Sequence, residues 1–358
     1  MSRKAVLNLM VHHHLSLWVV LFIVVPPLFA VAQDSSGCEV WYNPAGLFEV
    51  SRENISCIPT HNTKSSMVLQ TNDEVWSKLL NEHPEYWELP LTFPGGAHTT
   101  LILQEFKAYR SDVQIGHMTK DGLQTELYTP QLLSYRIAND NIRGSLIFME
   151  GQIAGAIRYE GVQYELGGLE CDGRKTGKFV LFATADALHK PAFECGLETL
   201  ATHVIPPQPM GLPNLLQNEP ITECVEVALD IDFFTYNQFG GDCNASVEWA
   251  LALLTGVSEI YQTELNDLIY IAASYINIWE TPDPYAEFSG NAGDMLDAFR
   301  LEWLENPDLA NRPRDLVHLL TRRSDTGTGG IAYLSVNCDP AYAAGFSSFL
   351  SPSSVYSL

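Results

Sequence analysis

The chain has 358 residues, 46% of them hydrophobic, enough to bury a sizeable core over two or three domains and too many for a disordered tail. Acidic residues outnumber basic ones 43 to 20, and from Glu219 onward 21 acids face 5 arginines and no lysine, so that segment holds 16 of the 23 net negative charges. Such a balance repels phosphate and argues against nucleic acid as a partner.

Residues 1–32 combine a basic start (Arg3, Lys4), an apolar run over 15–25 and the small-x-small signal Ala30-Val31-Ala32, the pattern of a secretory signal peptide. The run is 11 residues long and Pro26-Pro27 breaks it, whereas a spanning helix needs about 20, so a secreted chain without a stable membrane anchor is expected. Export to an oxidising compartment makes disulfides the expected use of the seven cysteines, Cys38, Cys57, Cys171, Cys195, Cys224, Cys243 and Cys338. Their odd number leaves one thiol free, shared between chains or missing its partner. Within the cysteine-containing segment 33–90, Cys38 and Cys57 are close enough to close a small local loop.

Over 91–203 the pattern becomes strand-like, with runs at 99–109, 144–149, 152–159 and 162–166. The separators Asn139-Asp140-Asn141, Glu150-Gly151 and Glu160-Gly161 are turn chemistry at hairpin spacing, which predicts an antiparallel meander. Residues 204–220 follow with Pro206, Pro207, Pro209, Pro213 and Pro220, an extended linker.

The remaining segment, 221–358, alternates element types. Residues 226–234 predict a strand near a sheet centre with Asp230 and Asp232 toward its end, 245–265 a helix, 268–279 a second strand and 295–304 a second helix. Residues 316–321 read as a short helix before the Gly-rich turn 326–330, and 330–336 as a last strand. The small Gly330 lets another backbone approach closely, so an extended peptide could pair along Gly330, Ile331, Ala332 and Tyr333. An ordinary sheet strand is the plain alternative.

Six motifs occur in register: Glu226-Val-Ala-Leu-Asp-Ile-Asp232, the helix end Val257-Ser-Glu-Ile-Tyr261, Ile278-Trp279-Glu-Thr-Pro-Asp283, the 294–303 helix, Asp315-Leu-Val-His-Leu-Leu-Thr321 and Gly330-Ile-Ala-Tyr333 leading to Cys338. In this order and spacing the segment resembles the first two thirds of a reprolysin or ADAM-type metzincin catalytic domain, and the meander before it resembles that family's prodomain more loosely. The resemblance implies an α+β chain, a β-rich prodomain-like meander followed by an incomplete α/β metzincin-like domain with a mixed sheet. It implies a secreted zinc endopeptidase zymogen acting on polypeptides.

In that family three imidazoles of H-E-x-x-H-x-x-G-x-x-H hold zinc and the glutamate serves as general base. No His-Glu dipeptide occurs among these 358 residues. By the family's layout the zinc helix would begin just past Tyr356, so the expectation is a chain truncated before it, inactive by itself and without catalytic zinc. The alternative expectation is a non-catalytic secreted pseudoprotease or prodomain-like binding protein. By motif match Cys195, in Phe193-Glu194-Cys195-Gly196, falls on the prodomain cysteine switch, against a Cys171–Cys195 disulfide as the other reading. Glu226 and Asp315 fall on a structural calcium site, against ordinary ion-paired carboxylates, and Cys338 on a cysteine whose partner lies beyond the zinc helix.

Overall fold

The computed structural model describes residues 40–42, 46–51, 66–149, 151–171, 174–187, 223–334, 336 and 339–350, all within one compact unit, Cys38–Leu358. The expected signal segment 1–32 and linker 204–220, together with Cys38, Cys57, Cys195 and Cys338, lie outside the described residues.

In chain order the first half forms β1 (Val40–Tyr42), β2 (Phe48–Val50), β3 (Ser66–Thr71), helix α1 (Asp73–Glu82), β4 (Tyr86–Thr92), β5 (His98–Glu105), β6 (Tyr109–Thr119), β7 (Gly122–Leu127), β8 (Leu133–Ile137), β9 (Ile142–Met149), β10 (Gln152–Tyr159), β11 (Val162–Cys171) and β12 (Arg174–Ala183). Asn72 starts α1 by accepting from the Glu74 and Val75 amides, which satisfies two of the helix's free donors. Ten of these strands make one sheet in the order β1-β4-β5-β8-β9-β10-β11-β12-β3-β2, antiparallel except for β1 with β4. The expected meander is present in β8 to β12, and its turn chemistry works as read: Glu160 and Gly161 both adopt positive φ, 50° and 79°, the geometry of a tight two-residue hairpin. Val75 and Leu79 of α1 share one core with Leu69, Trp87, Leu101, Phe148 and Leu181.

The expected run 99–109 is two strands, not one. β5 ends at Glu105, and β6 leaves the first sheet with β7 to join a second. That sheet contains β13 (Glu223–Ile231), β14 (Ile269–Trp279), β15 (Leu316–Leu320), β16 (Gly330–Ala332) and β17 (Ala344–Ser347), in the order β16-β17-β15-β13-β14-β6-β7. It is mixed: β6, β14, β13, β15 and β17 run parallel, and β7 and β16 are antiparallel edges.

Three more expectations are corrected here. Residues 316–320 form a strand rather than a helix, because they pair with both β13 and β17 and bury Val317 and Leu319 on one face. The strand expected to reach residue 234 stops at Ile231, where the Asp232 carboxylate accepts from the Thr235 amide and starts helix α2 (Phe233–Gln238). The strand expected over 330–336 is only Gly330–Ala332.

Helix α3 (Cys243–Glu264) lies between the two sheets. Every residue from 246 to 256 is buried, so the helix has no solvent face there, and its apolar surface meets Ile147 and Ala154 of the first sheet and Val227, Leu229 and Ile276 of the second. Its one acid at the centre, Glu248, is satisfied by three donors from the chain after β7: the Tyr128 hydroxyl (2.6 Å) and the Gln131 and Leu132 amides (2.7 Å each). Helices α4 (Ala292–Glu305) and α5 (Pro307–Ala310) cover the opposite face of the second sheet, where Met295, Phe299 and Trp303 pack on Tyr275, Val317 and Leu319. The α+β molecule is therefore layered sheet, helix, sheet, helix.

Candidate substrate edge and the carboxylates behind it

Of the four residues expected to meet a peptide, Gly330, Ile331 and Ala332 form β16, the terminal strand of the second sheet among the described residues, and Tyr333 follows it. Gly330 pairs with Ser347, Ile331 with Phe346 and Ala332 with Gly345. The Tyr333 amide donates to the Ala344 carbonyl (3.3 Å), so by the two-residue alternation of an antiparallel ladder Ile331 also bonds inward and Gly330 and Ala332 face out. At Gly330 the outward groups are met by the Thr328 hydroxyl, 3.3 Å from its nitrogen and 3.0 Å from its oxygen. Ala332 is left as the outward-facing position of the strand, exposed, beside the 56% exposed Leu334.

Gly330 is small for a different reason from the one its position suggested. A Cβ there would lie 3.0 Å from the Phe346 carbonyl oxygen, so the absent side chain admits β17, not an incoming peptide. Tyr333 fastens the strand to α4: its hydroxyl donates to Asp297, its ring stands edge-on to Tyr342, and the Arg300 guanidinium lies 4.7 Å from the Tyr342 ring centre.

Behind the rim, at the C-terminal end of β13, three carboxylates are buried together. Asp230 accepts from the Tyr285 hydroxyl (2.6 Å), the Trp303 indole (2.5 Å) and the Asn277 amide (3.3 Å). Burial lifts its carboxyl to about 7 against the pull of those donors. Asp232 accepts from Thr321 (2.7 Å) and from Arg323 (3.2 Å), the cation that compensates it. Asp283 accepts from the Phe233 amide (3.2 Å); burial, and then the charge of Asp232, raise it to about 6. Sequence pattern alone assigned these acids no role. Their signal was available as Asp-x-Asp inside an apolar strand, but their partners come from residues 277 to 323 and are invisible locally.

The structure brings Glu226 and Asp315 together: the Asp315 carboxylate accepts from the Glu226 amide (2.7 Å) and the Asp315 amide donates to the Glu226 carbonyl (2.7 Å). The Glu226 carboxylate is ion-paired with Arg110 of β6, which also holds Asp112.

A cluster that sequence reasoning missed joins His117 of β6, Cys243 at the start of α3 and Glu280 just after β14, with donor atoms 2.7 to 3.5 Å apart. Burial and the neighbouring Glu280 push the Cys243 thiol up to about 11. Among the described residues it is the one group of three such side chains close enough to share an ion.

With this geometry in place, similarity to known proteins defines the class. Reprolysin_5, Metallo-peptidase family M12, matches residues 222–356. That segment, the five strands β13 to β17 with α2 to α5, is similar to a reprolysin/metzincin-type metallopeptidase domain.

Among individual relatives, human Disintegrin and metalloproteinase domain-containing protein 9 is 28% identical over 130 residues, 36% of this chain. Those residues span 15% of that protein's length. The crystal structure of metalloproteinase-II from Bacteroides fragilis aligns over 78% of this chain and 79% of its own, with a TM-score of 0.42 and 15% identity.

The matched metallopeptidase family implies zinc in the complete domain. The described histidines do not fit three-imidazole coordination, because His83 caps α1, His98 opens β5, His117 lies on β6 and His318 on β15, and no two of them share a donor cluster.

Proposed function

We propose that the protein is a secreted member of the zinc endopeptidase class whose 358 residues supply the polypeptide-binding side of the domain, and that this chain binds extended polypeptide without cutting it. The observation that supports this is the outward edge of β16 at Ala332 in a domain that matches metallopeptidases over 222–356. An extended segment can add to such an edge by main-chain hydrogen bonds while neighbouring side chains select what fits. Secretion rests on the pattern of residues 1–32, and the family device assigned to Cys195, a thiolate filling the fourth zinc position, applies to a complete domain.

The same β16 edge serves the second reading, a non-catalytic secreted binding protein. At Glu226 and Asp315 we favour structural carboxylates over calcium, because Glu226 is ion-paired with Arg110 and Asp315 is engaged by the Glu226 amide. The test is to incubate the purified chain with fluorescently labelled, denatured casein, with and without chelator. Saturable binding to casein that stays intact is expected; chelator-sensitive cleavage, or no binding at all, contradicts the proposal.

A further inference from the structure

We propose that His117, Cys243 and Glu280 form a structural site for one divalent cation of the zinc class, which clamps the β6–β7 hairpin to β14 and α3. The site is independent of the polypeptide edge and of the family's three-histidine centre. Its three donors come from segments 126 and 37 residues apart in sequence, so only the folded topology assembles them.

The distances suit a small tetrahedral ion. Zinc bonds of about 2.0 Å to nitrogen or oxygen and about 2.3 Å to sulfur place tetrahedral ligand atoms roughly 3.3 to 3.6 Å apart. Cys243 Sγ lies 3.5 Å from His117 Nδ1 and 3.3 Å from Glu280 Oε1, already at those separations. The third edge, Nδ1 to Oε1 at 2.7 Å, must open by about half an ångström, a small turn of two partly buried side chains. One thiolate, one imidazole and one carboxylate are a donor set that zinc and cobalt accept, whereas calcium and magnesium prefer oxygen alone.

A second observation points the same way. Glu126 of β7 approaches the far nitrogen of the same imidazole, with its Oε1 3.5 Å from His117 Nε2. With a metal on Nδ1 in place of its 2.7 Å contact to Glu280, the ring proton would sit on Nε2 facing the Glu126 carboxylate, the arrangement that commonly orients metal-binding histidines. Two carboxylates, Asp242 and Glu280, lie beside the thiol, a negative neighbourhood that favours a bound cation. Binding would release the thiol proton to solvent and leave one coordination place for water.

The test uses the full chain stripped of metal and titrated with cobalt(II). One equivalent should give a thiolate-to-cobalt charge-transfer band with four-coordinate d–d bands, displaced by zinc. Cys243→Ser should abolish the charge-transfer band, His117→Gln should weaken cobalt binding at least tenfold, and Cys224→Ser, at the other free thiol described, should leave both unchanged. As a measurement that needs no variant, zinc should raise the unfolding temperature of the stripped wild-type chain and magnesium should not. Failure of the wild-type chain to show the band, or its survival in Cys243→Ser, overturns the site; loss of casein binding alone would leave it standing and refute only the polypeptide reading.

Discussion

Asp230 shows how much a single buried side chain constrains this domain. It is fully enclosed, yet each carboxylate oxygen has a donor, so its burial is tolerated without a cation. Its folded value of about 7 stands above the usual ~3.9 of an unfolded aspartate. Below about pH 4 both states hold the proton, and above pH 7 neither does. Between them the native state alone is protonated, so the contribution to stability declines as pH rises through that window and is flat beyond it. Asp283, at about 6, acts in the same direction. Urea unfolding of the wild-type chain should therefore show a midpoint that falls from pH 5 to 7, and Asp230→Asn should flatten that slope; an unchanged slope in the variant contradicts the assignment. Trp303→Phe leaves one Asp230 oxygen without its indole donor and should cost about 1–3 kcal/mol by the same assay.

At the scale of elements, the sequence was most readable where pattern and turn chemistry are local. The hairpins of β9 to β11, with separators such as Glu160-Gly161, and the long apolar helix α3 fall where periodicity put them. What stayed hidden was partner choice. β6 alternates like its neighbours, and nothing local says that Ile115, Gly116 and His117 pair with β14 rather than with the first sheet. The short run at 316–320 has the same difficulty: five residues carry too little periodicity to separate a buried strand from a helical turn, and its two flanking strands decide it. β16 was readable as a strand, but its length was not, because the Tyr333 side chain turns away to α4. Two substitutions test the β6–β7 crossing. A Cβ at residue 116 would lie 1.8 Å from the Tyr275 hydroxyl, so Gly116→Val should destabilise the chain by about 1–3 kcal/mol or more and speed proteolysis within the hairpin. Glu248→Ala strands the Gln131 and Leu132 amides and should cost roughly 2–5 kcal/mol in urea unfolding; a loss under about 0.5 kcal/mol in either would contradict the packing described.

Over the whole molecule, α3 is the shared core of both sheets, and the hairpin that the first half lends to the second closes the far edge at β7. The opposite edge, β16, keeps an outward-facing main-chain position at Ala332. A strand edge with no partner strand among the described residues is a template for another chain, and here it lies in a segment that matches metallopeptidases. The net negative charge of the residues from Glu219 onward, 21 acids against 5 arginines, favours a basic or neutral polypeptide over an acidic one. Proline at residue 332 removes the outward donor while sparing the inward bonds of Ile331 and Tyr333, and an edge strand tolerates that change. The decisive measurement is a binding isotherm of labelled denatured casein on the wild-type chain and on Ala332→Pro, with the casein examined afterwards. Saturable wild-type binding, at least tenfold weaker in Ala332→Pro, with uncut casein in both, is the predicted result; equal binding by the two, or casein cut in a chelator-sensitive manner, would contradict it.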